Sequence, residues 1–374
     1  YLKKLRLKLI DSYDLNPKKL KNNESTKHFD LKIFDNFNYN SPKGSIYNPE
    51  YIGDKKCINS NAENQEFVFD KLIQYENAFD NDYLVNLNTI FQNSGNIIEI
   101  DNKESKKLVF NNKLKEDKTV FSKNFIKIKE NSNFTLIENF ENKDYSNLNV
   151  INFIELDKEA KVLHLIFQEN KDSANLQYTN HVNCYEGSKY NQVIFNASES
   201  SIRNHNYANM LGSYSEAELK GIFLGNSNQI IDNKTQVNHY SPNCKSNQKY
   251  KGVLTDQARA SYLSKTYVDN KAQKTEAYQL SKGILLSDSS YFHSKPELKI
   301  FADDVKCSHG STIGPFDQNI LFYLRSRGIT KNIATSMLIN SFFSDILNHT
   351  GDDEYYSKVN NSLNKWLDQI IIEQ

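Results

Sequence analysis

The stretch Ala302-Asp303-Asp304-Val305-Lys306-Cys307-Ser308-His309-Gly310 sets a thiol and an imidazole two residues apart behind a pair of acids. On an extended strand side chains alternate, so Cys307 and His309 emerge on one face, where they can share a metal ion or the edge of a cluster. Three readings stand: a ligand pair, a nucleophile with its base, or a packed thiol beside a hydrogen-bonded imidazole. A lone C-x-H is a weak zinc signal, because structural zinc sites bring two close pairs and the chain holds no second one. The nucleophile reading meets a geometric objection, since the two side chains point alike rather than toward each other, and no orienting acid stands out. Asp303 and Asp304 fall on opposite faces if the strand includes them, which argues against a two-carboxylate hydrolase. One of them is expected in a turn or in solvent.

The other reactive side chains read as structural. His205, in Ser201-Ile202-Arg203-Asn204-His205-Asn206, and His239, in Gln236-Val237-Asn238-His239-Tyr240, sit within strand-like sequence, where a hydrogen-bonded His is the commoner outcome. Cys244, next to Lys245 and near Pro242, is a loop thiol, and Cys57 and Cys184 are isolated, so no C-x-x-C redox centre exists. Neither G-x-x-x-x-G-K-[ST] nor G-x-G-x-x-G occurs. Nucleotide energy would have to come from a partner.

The elements that must hold the pair are short β-type runs. Between Asn96 and Val305 they recur as Phe125-Ile126-Lys127-Ile128, Val150-Ile151-Asn152-Phe153-Ile154, Val162-Leu163-His164-Leu165-Ile166-Phe167, Gln192-Val193-Ile194-Phe195, Tyr250-Lys251-Gly252-Val253-Leu254 and others, with no convincing helix between them. Asn-Gly and Asp-Gly hairpin turns are absent, which favours a β-solenoid over a sandwich or propeller. Adjacent coils can satisfy each other's strands without a clean sequence repeat, and none is visible. Before this body, Tyr83–Phe91 reads as a helix closed by Gly95, and Phe67, Leu72 and Tyr75 suit one face of another. After Gly314-Pro315, Asp317 caps a helix that Gly328 stops. Thr330 caps a second, with Ile333, Met337, Phe342 and Ile346 on its apolar face, and a last one carries Leu363, Trp366, Leu367, Ile370 and Ile371. The expected division is 1–95 helical or irregular, 96–314 β core and 315–374 helical.

Composition narrows the classes. The 374 residues suffice for a large core, and Lys plus Arg equals Asp plus Glu at 46 each, so no global field favours nucleic acid or an anionic membrane. Four scattered cysteines make a poor disulfide framework and suit a reducing cytoplasm. No run approaches the roughly 18 apolar residues of a membrane span, and the N-terminal decapeptide is too charged for a signal core. The chain begins at Tyr1, so a preceding segment remains open.

Read with its neighbours, the opening stretch becomes more specific. Lys295 through Gly314, followed by Leu321-Phe322-Tyr323-Leu324-Arg325-Ser326-Arg327-Gly328-Ile329, closely resembles the SufB/SufD family of SUF iron–sulfur cluster assembly scaffolds, in its SufD branch. Tyr250–Leu254, Ala272–Gln279 and Leu285-Leu286-Ser287 extend the likeness, which is strong from about Arg203 to Asp345. The absence of the N-terminal cysteine cluster frequent in SufB supports the D branch, whereas the family's acidic-Trp-Lys-Tyr segment is missing too. The resemblance implies a right-handed parallel β-helix with helical N- and C-terminal regions, and a non-catalytic scaffold. It implies a complex with a SufB-like scaffold subunit and a SufC-like ATPase, the latter held by the C-terminal helices. The cargo would be a transient iron–sulfur cluster shared with the partner, with His309, and less firmly Cys307, helping to hold it and no ATP bound directly. Two rivals are a subunit that only stabilises its SufB partner and a β-helix enzyme acting on polysaccharide. The latter would need export and a groove of acids and stacking aromatics.

Overall fold

The computed structural model describes residues 50–53, 58–59, 82–92, 94–101, 106–112, 119–141, 147–170, 175–348 and 350–372. Two short strands, β1 (Glu50–Gly53) and β2 (Ile58–Asn59), and helix α1 (Tyr83–Phe91) precede a long β body. One side of that body is built from β3 (Ser94–Ile100), β5 (Thr119–Ile128), β7 (Asn147–Leu156), β9 (Asn175–Cys184), β11 (Ile202–Met210), β13 (Ile230–His239), β15 (Arg259–Val268) and β17 (Tyr291–Ile300). The other is built from β4 (Lys106–Asn112), β6 (Asn133–Phe140), β8 (Lys161–Gln168), β10 (Lys189–Asn196), β12 (Glu216–Gly225), β14 (Lys245–Leu254), β16 (Thr275–Leu285) and β18 (Val305–Gly314). Each strand pairs in parallel with the strand two places along the chain, while β1 and β2 close one end antiparallel on β4 and β3. The chain thus winds as a β-solenoid, as its sequence texture suggested.

A parallel coil satisfies its backbone only on its neighbours, and like positions of successive coils face one another. The rows that face inward are unusually polar. Asn96 Nδ2 donates to Asn124 Oδ1, and Asn124 Nδ2 to Asn152 Oδ1, both at 2.8 Å and 28 residues apart. Further along the lumen, His164 Nε2 lies 3.0 Å from the buried Glu138 carboxylate, which also accepts from Tyr178 OH. Size is matched between rungs as well as polarity. Gly221 leaves room for the Tyr250 ring and Gly252 for the Phe223 ring, each pair in register, and a Cβ on either glycine would collide with the ring.

The outer faces of the earlier coils are covered, so strands such as β5 and β7 are almost wholly buried, whereas β13 and β15 alternate. Over the even-numbered sheet lie α3 (Lys331–Leu347) and α4 (Asp353–Ile372), whose Ile339, Phe343, Val359, Leu363, Trp366, Leu367 and Ile370 pack with Leu165, Phe167, Val193 and Phe195. Tyr355 OH reaches between strands to the Ile166 carbonyl at 2.9 Å. Between the β body and α3 stands α2 (Gln318–Ser326), capped by Asp317 and followed by Gly328 at φ +85°, as expected from its sequence; none of its residues is buried. The face of α3 differs from expectation. Ala334, Ile339, Phe343, Ile346 and Leu347 are buried, whereas Ile333 and Met337 are exposed. The packed stripe is the set that meets Leu165, Phe167, Val193 and Phe195 of the even sheet, with Phe342 partly buried beside it.

On the other sheet α1 packs Val85 against Phe125, Ile151 and Phe153. Its N-cap, Asp82, is also an ion-pair partner of the fully buried Arg203, whose Nη1 donates to Asp82 Oδ1 at 3.3 Å and whose Nε lies 3.5 Å from Asp232. His205 Nε2 meets the same Asp232 oxygen at 3.0 Å. Burial alone would raise both carboxyls, but Arg203 and His205 hold Asp82 well below the usual carboxylate range, and His205 and Arg203 likewise lower Asp232. Gly95 is not a helix stop: α1 ends on Gln92, and Gly95 lies inside β3, where a Cβ would meet the Lys123 carbonyl. Phe67, Leu72, Tyr75 and Cys57 lie outside the described residues.

Two outcomes follow. Gly252→Val overfills the lumen and should cost about 1–3 kcal/mol in chemical denaturation. Arg203→Met leaves two buried carboxylates without their cation and should cost about 3–5 kcal/mol. Because the folded pKa values of Asp82 and Asp232 are depressed, their contribution is complete above the ordinary carboxylate value of about 4 and fades as pH falls toward the depressed ones. The deficit of Arg203→Met should therefore be largest near neutral pH and shrink as pH falls below about 4, measured by denaturant titrations followed by circular dichroism at a series of pH values.

Candidate functional site at the open end of the solenoid

The pair that opened the sequence lies on β18, the last strand of its sheet. Asp303 and Asp304 precede that strand in an exposed bend, so the expectation that they occupy opposite faces of one strand does not hold. The Asp304 carbonyl is committed to the Lys274 N–H at 2.6 Å, which stacks this corner on the one before it. Both acids belong to corner and solvent.

In the β16–β18 register Ala277 pairs with Cys307, Gln279 with His309 and Ser281 with Ser311. Gln279 is buried, and its Nε2 donates across the lumen to Thr266 Oγ1 at 2.7 Å, so this row points inward. Rungs of one parallel sheet share their facing, and His309 therefore also points inward. The same row contains His164, Gln192, Leu219 and Gln248 on earlier coils, all buried. His309 alone in this series is exposed, because among the described residues no further coil stacks on β18. An imidazole is thus presented at the open mouth of a polar lumen. Beneath it the rung is rigid: Gln279 also accepts from Ser264 Oγ at 3.2 Å and donates to the Glu297 carbonyl at 3.3 Å.

Cys307 shares that facing but not that environment. Its thiol is half-buried against Val268, Ala272, Ala302 and Val305, and burial pushes its pKa up. A thiol held protonated is a poor nucleophile, and at about 3.3 Å rise per residue the two side chains stand side by side. No hydrogen bond joins them among the described residues, so the geometry offers no nucleophile–base pair. It offers two donors on one face, an exposed nitrogen and a recessed sulfur. Among the described residues no three His, Cys, Asp or Glu side chains converge as a metal site. A metal-containing cargo at His309 would need further ligands from outside this face.

The remaining candidates are dispersed. His205 belongs to the ion cluster beside α1, some coils away. His239 is buried in the lumen with Nε2 2.9 Å from Ser246 Oγ, and burial lowers its pKa to about 4, so it is neutral. Cys184 is pushed up to about 12 by burial, and Cys244 is raised as well. Cys244 does lie in a corner between strands, but its sulfur is turned into the core, next to Ser215 Oγ at 3.3 Å. A second surface feature escaped the sequence reading. Ile320, Phe322 and Tyr323 of α2 and Ile333 and Met337 of α3 are all exposed, Phe322 at 73%. The apolar run Leu321-Phe322-Tyr323-Leu324 on a helix that buries nothing is the signal that could have found it.

A family model described as the SUF-system FeS cluster assembly SufBD core domain matches residues 110–342, from β4 into α3. The chain belongs to the SufBD family. Its similarity to curated members falls on part of their length: 32% identity over 154 residues to the iron–sulfur cluster assembly protein SufD of Escherichia coli, covering 41% of this chain and 36% of that protein. A SufBD family protein of Synechocystis is 39% identical over 119 residues, 32% of this chain and 26% of the relative. SufD of Plasmodium falciparum is 31% identical over 143 residues, 38% of this chain and 10% of the relative. The chain thus spans about a third or less of these relatives. Two of the three carry the SufD name, which supports a SufD-like identity. No helix among the described residues is long and apolar enough to cross a membrane.

The contrast between the two donors is checkable. Native-state alkylation at pH 8, followed by peptide mapping, should label Cys307 more slowly than a free thiol of ordinary pKa and leave Cys184 and Cys244 unmodified until the fold opens. Rapid labelling of Cys184 would contradict its placement in the lumen.

Proposed function

We propose that this chain is a SufD-type, non-catalytic scaffold that helps build or hold a nascent iron–sulfur cluster, with His309 as its contribution to the cluster's ligands. One observation carries the reading: His309 is the exposed terminal rung of an inward-facing row. A neutral imidazole nitrogen is a competent iron ligand, and its position on a strand backed by a bonded rung limits its orientational freedom. Cys307, recessed and held as a thiol, serves chiefly as packing beneath the site. The cluster is cargo, and the missing ligands come from a SufB-like scaffold subunit.

That partner would meet the open end, where β17 and β18 leave sheet edges unpaired among the described residues. An exposed edge is a ready template for another chain. Pro296 within β17 and Gly310 in β18 reduce indiscriminate pairing there while leaving the end open to a shaped partner. A SufC-like ATPase would bind the apolar surface of α2 and α3 around Phe322, Tyr323, Ile333 and Met337. Since α3 lies on the same sheet that ends in β18, a shift of the helices on ATP binding has a packed route to the cluster site. The working division is an N-terminal region to about residue 95, a β-helix from 96 to 314 and a helical region from 315 to 374, in a protein acting in the cytoplasm. A purely structural subunit keeps this architecture and lacks only the role of His309.

The test is the anaerobic iron and sulfide content of the chain co-purified with its cognate SufB- and SufC-type partners, wild type against His309→Ala. The expected result is loss of most of the cluster with the complex still assembled. A full cluster in the variant complex would leave this chain as a structural partner only.

A further inference from the structure

The inward rows change abruptly in size at the open end. On the rung before it, Tyr250 and Tyr262 stack across the lumen with ring centroids 4.4 Å apart. Their register partners on the next strands are Ser281 of β16 and Ser294 of β17. Rungs of one sheet share their facing, so both serine side chains point into the lumen. Ser311 continues the row above Ser281 on β18, two residues from His309, and is exposed as that residue is. Three serines thus line the mouth that presents the imidazole.

Two of these hydroxyls have nothing to bond. Ser281 is 3% exposed, and the Oγ atoms of Ser281 and Ser294 are both closed to solvent and without a hydrogen-bond partner among the described residues. The tyrosines beneath do not serve them, because each is engaged with an earlier coil. Tyr262 OH lies 2.9 Å from Thr235 Oγ1, and the Tyr250 ring occupies the room left by Gly221. Gln279, next along the inward face of β16, is held between Ser264, Thr266 and the Glu297 carbonyl. Deeper in the lumen, Asn180 and Gln192 also have one free end, but each is bonded through the other, to Tyr190 and Asn206. A buried hydroxyl with no partner at all is costly, and two of them on the rung beside an exposed ligand point to an acceptor supplied from outside.

We infer that Ser281, Ser294 and Ser311 form a donor shelf for the sulfide of the cargo, with Ser294 and Ser311 bonding to sulfur directly and Ser281 donating to the Ser311 oxygen from beneath. This rests on the reading of His309 as a cluster ligand and adds the groups that meet the cluster's other element. Cluster sulfide is an anionic acceptor with no hydrogen of its own, which matches hydroxyls whose protons are uncommitted. A serine side chain turns toward the mouth by rotation about a single bond. Hydrogen bonds to sulfur withdraw part of its charge and so raise a cluster's reduction potential. They add no ligand to iron, which separates their role from that of His309.

The experiment is a dye-mediated redox titration, followed by visible absorption, of the cluster-loaded complex with its SufB- and SufC-type partners. Wild type is compared with Ser281→Ala, with Ser294→Ala, and with Ser294→Ala combined with Ser311→Ala. Iron and sulfide content should stay at the wild-type level while the potential moves to more negative values, furthest in the combined variant. Thermal melts of the full chain without partners supply the second readout. Ser281→Ala and Ser294→Ala should melt at or above the wild-type temperature, because each removes a desolvated hydroxyl that has no partner. An unchanged potential in a loaded complex whose cluster depends on His309 would overturn this inference alone, as would a lower melting temperature for both serine variants, which would make the hydroxyls structural. A wild-type complex without a cluster, or a full cluster in His309→Ala, would remove the functional reading and this inference together.

Discussion

The structure depends on one constraint: in a parallel solenoid every coil must be covered by the next, in backbone and in side chain alike. Hydrogen bonds between coils are obligatory, since buried amides and carbonyls left unpaired are costly. That requirement aligns Asn96, Asn124 and Asn152 into a bonded row and sets Gly221 against Tyr250 and Gly252 against Phe223. It also makes the ends special. At β18 the covering stops while the inward facing of the side chains continues, and the last rung of a row that is buried elsewhere is left exposed. His309 has its properties because it is terminal.

The polar lumen fits this arrangement. Apolar rows would slide or repack with little penalty, whereas Glu138, His164, Tyr178 and their neighbours must stay in register to satisfy one another. Register propagates to the final coil through Gln248, Thr266 and Gln279, so the strand that carries Cys307 and His309 is placed by contacts several coils deep. The helices on the even sheet couple to the same strands from outside.

Much of the fold was legible in the sequence because strand runs, helix caps and the lack of hairpin turns report local chemistry. Asp317, Gly328 and Thr330 mark their helix ends through their own backbone and side-chain hydrogen-bonding habits, and the last helix buries Leu363, Trp366 and Leu367 as its spacing suggested. The repeat was not legible. A row is conserved in facing but not in residue type, as the series His164, Gln192, Leu219, Gln248, Gln279 and His309 illustrates. For the site, alternation placed Cys307 and His309 on one face correctly, yet could not separate an exposed imidazole from a recessed thiol. That difference arises from where the solenoid ends and from Val268, Ala272 and Ala302, which are distant or silent in a local reading. The bend at Asp303 and Asp304 is likewise fixed by the preceding corner. Of the stripe expected on α3, Ile346 is buried and Phe342 partly so, while Ile333 and Met337 fall outside the contact with the even sheet.

The central claim is that the terminal imidazole touches the cargo. Pulsed electron paramagnetic resonance on the reduced, cluster-loaded complex, prepared with this chain selectively labelled with ¹⁵N-histidine, addresses it at the level of the bond. The account predicts a strongly coupled nitrogen whose hyperfine signature follows the label and disappears in His309→Ala. A loaded complex with no histidine nitrogen coupling from this chain, or one that persists in the variant, would contradict it.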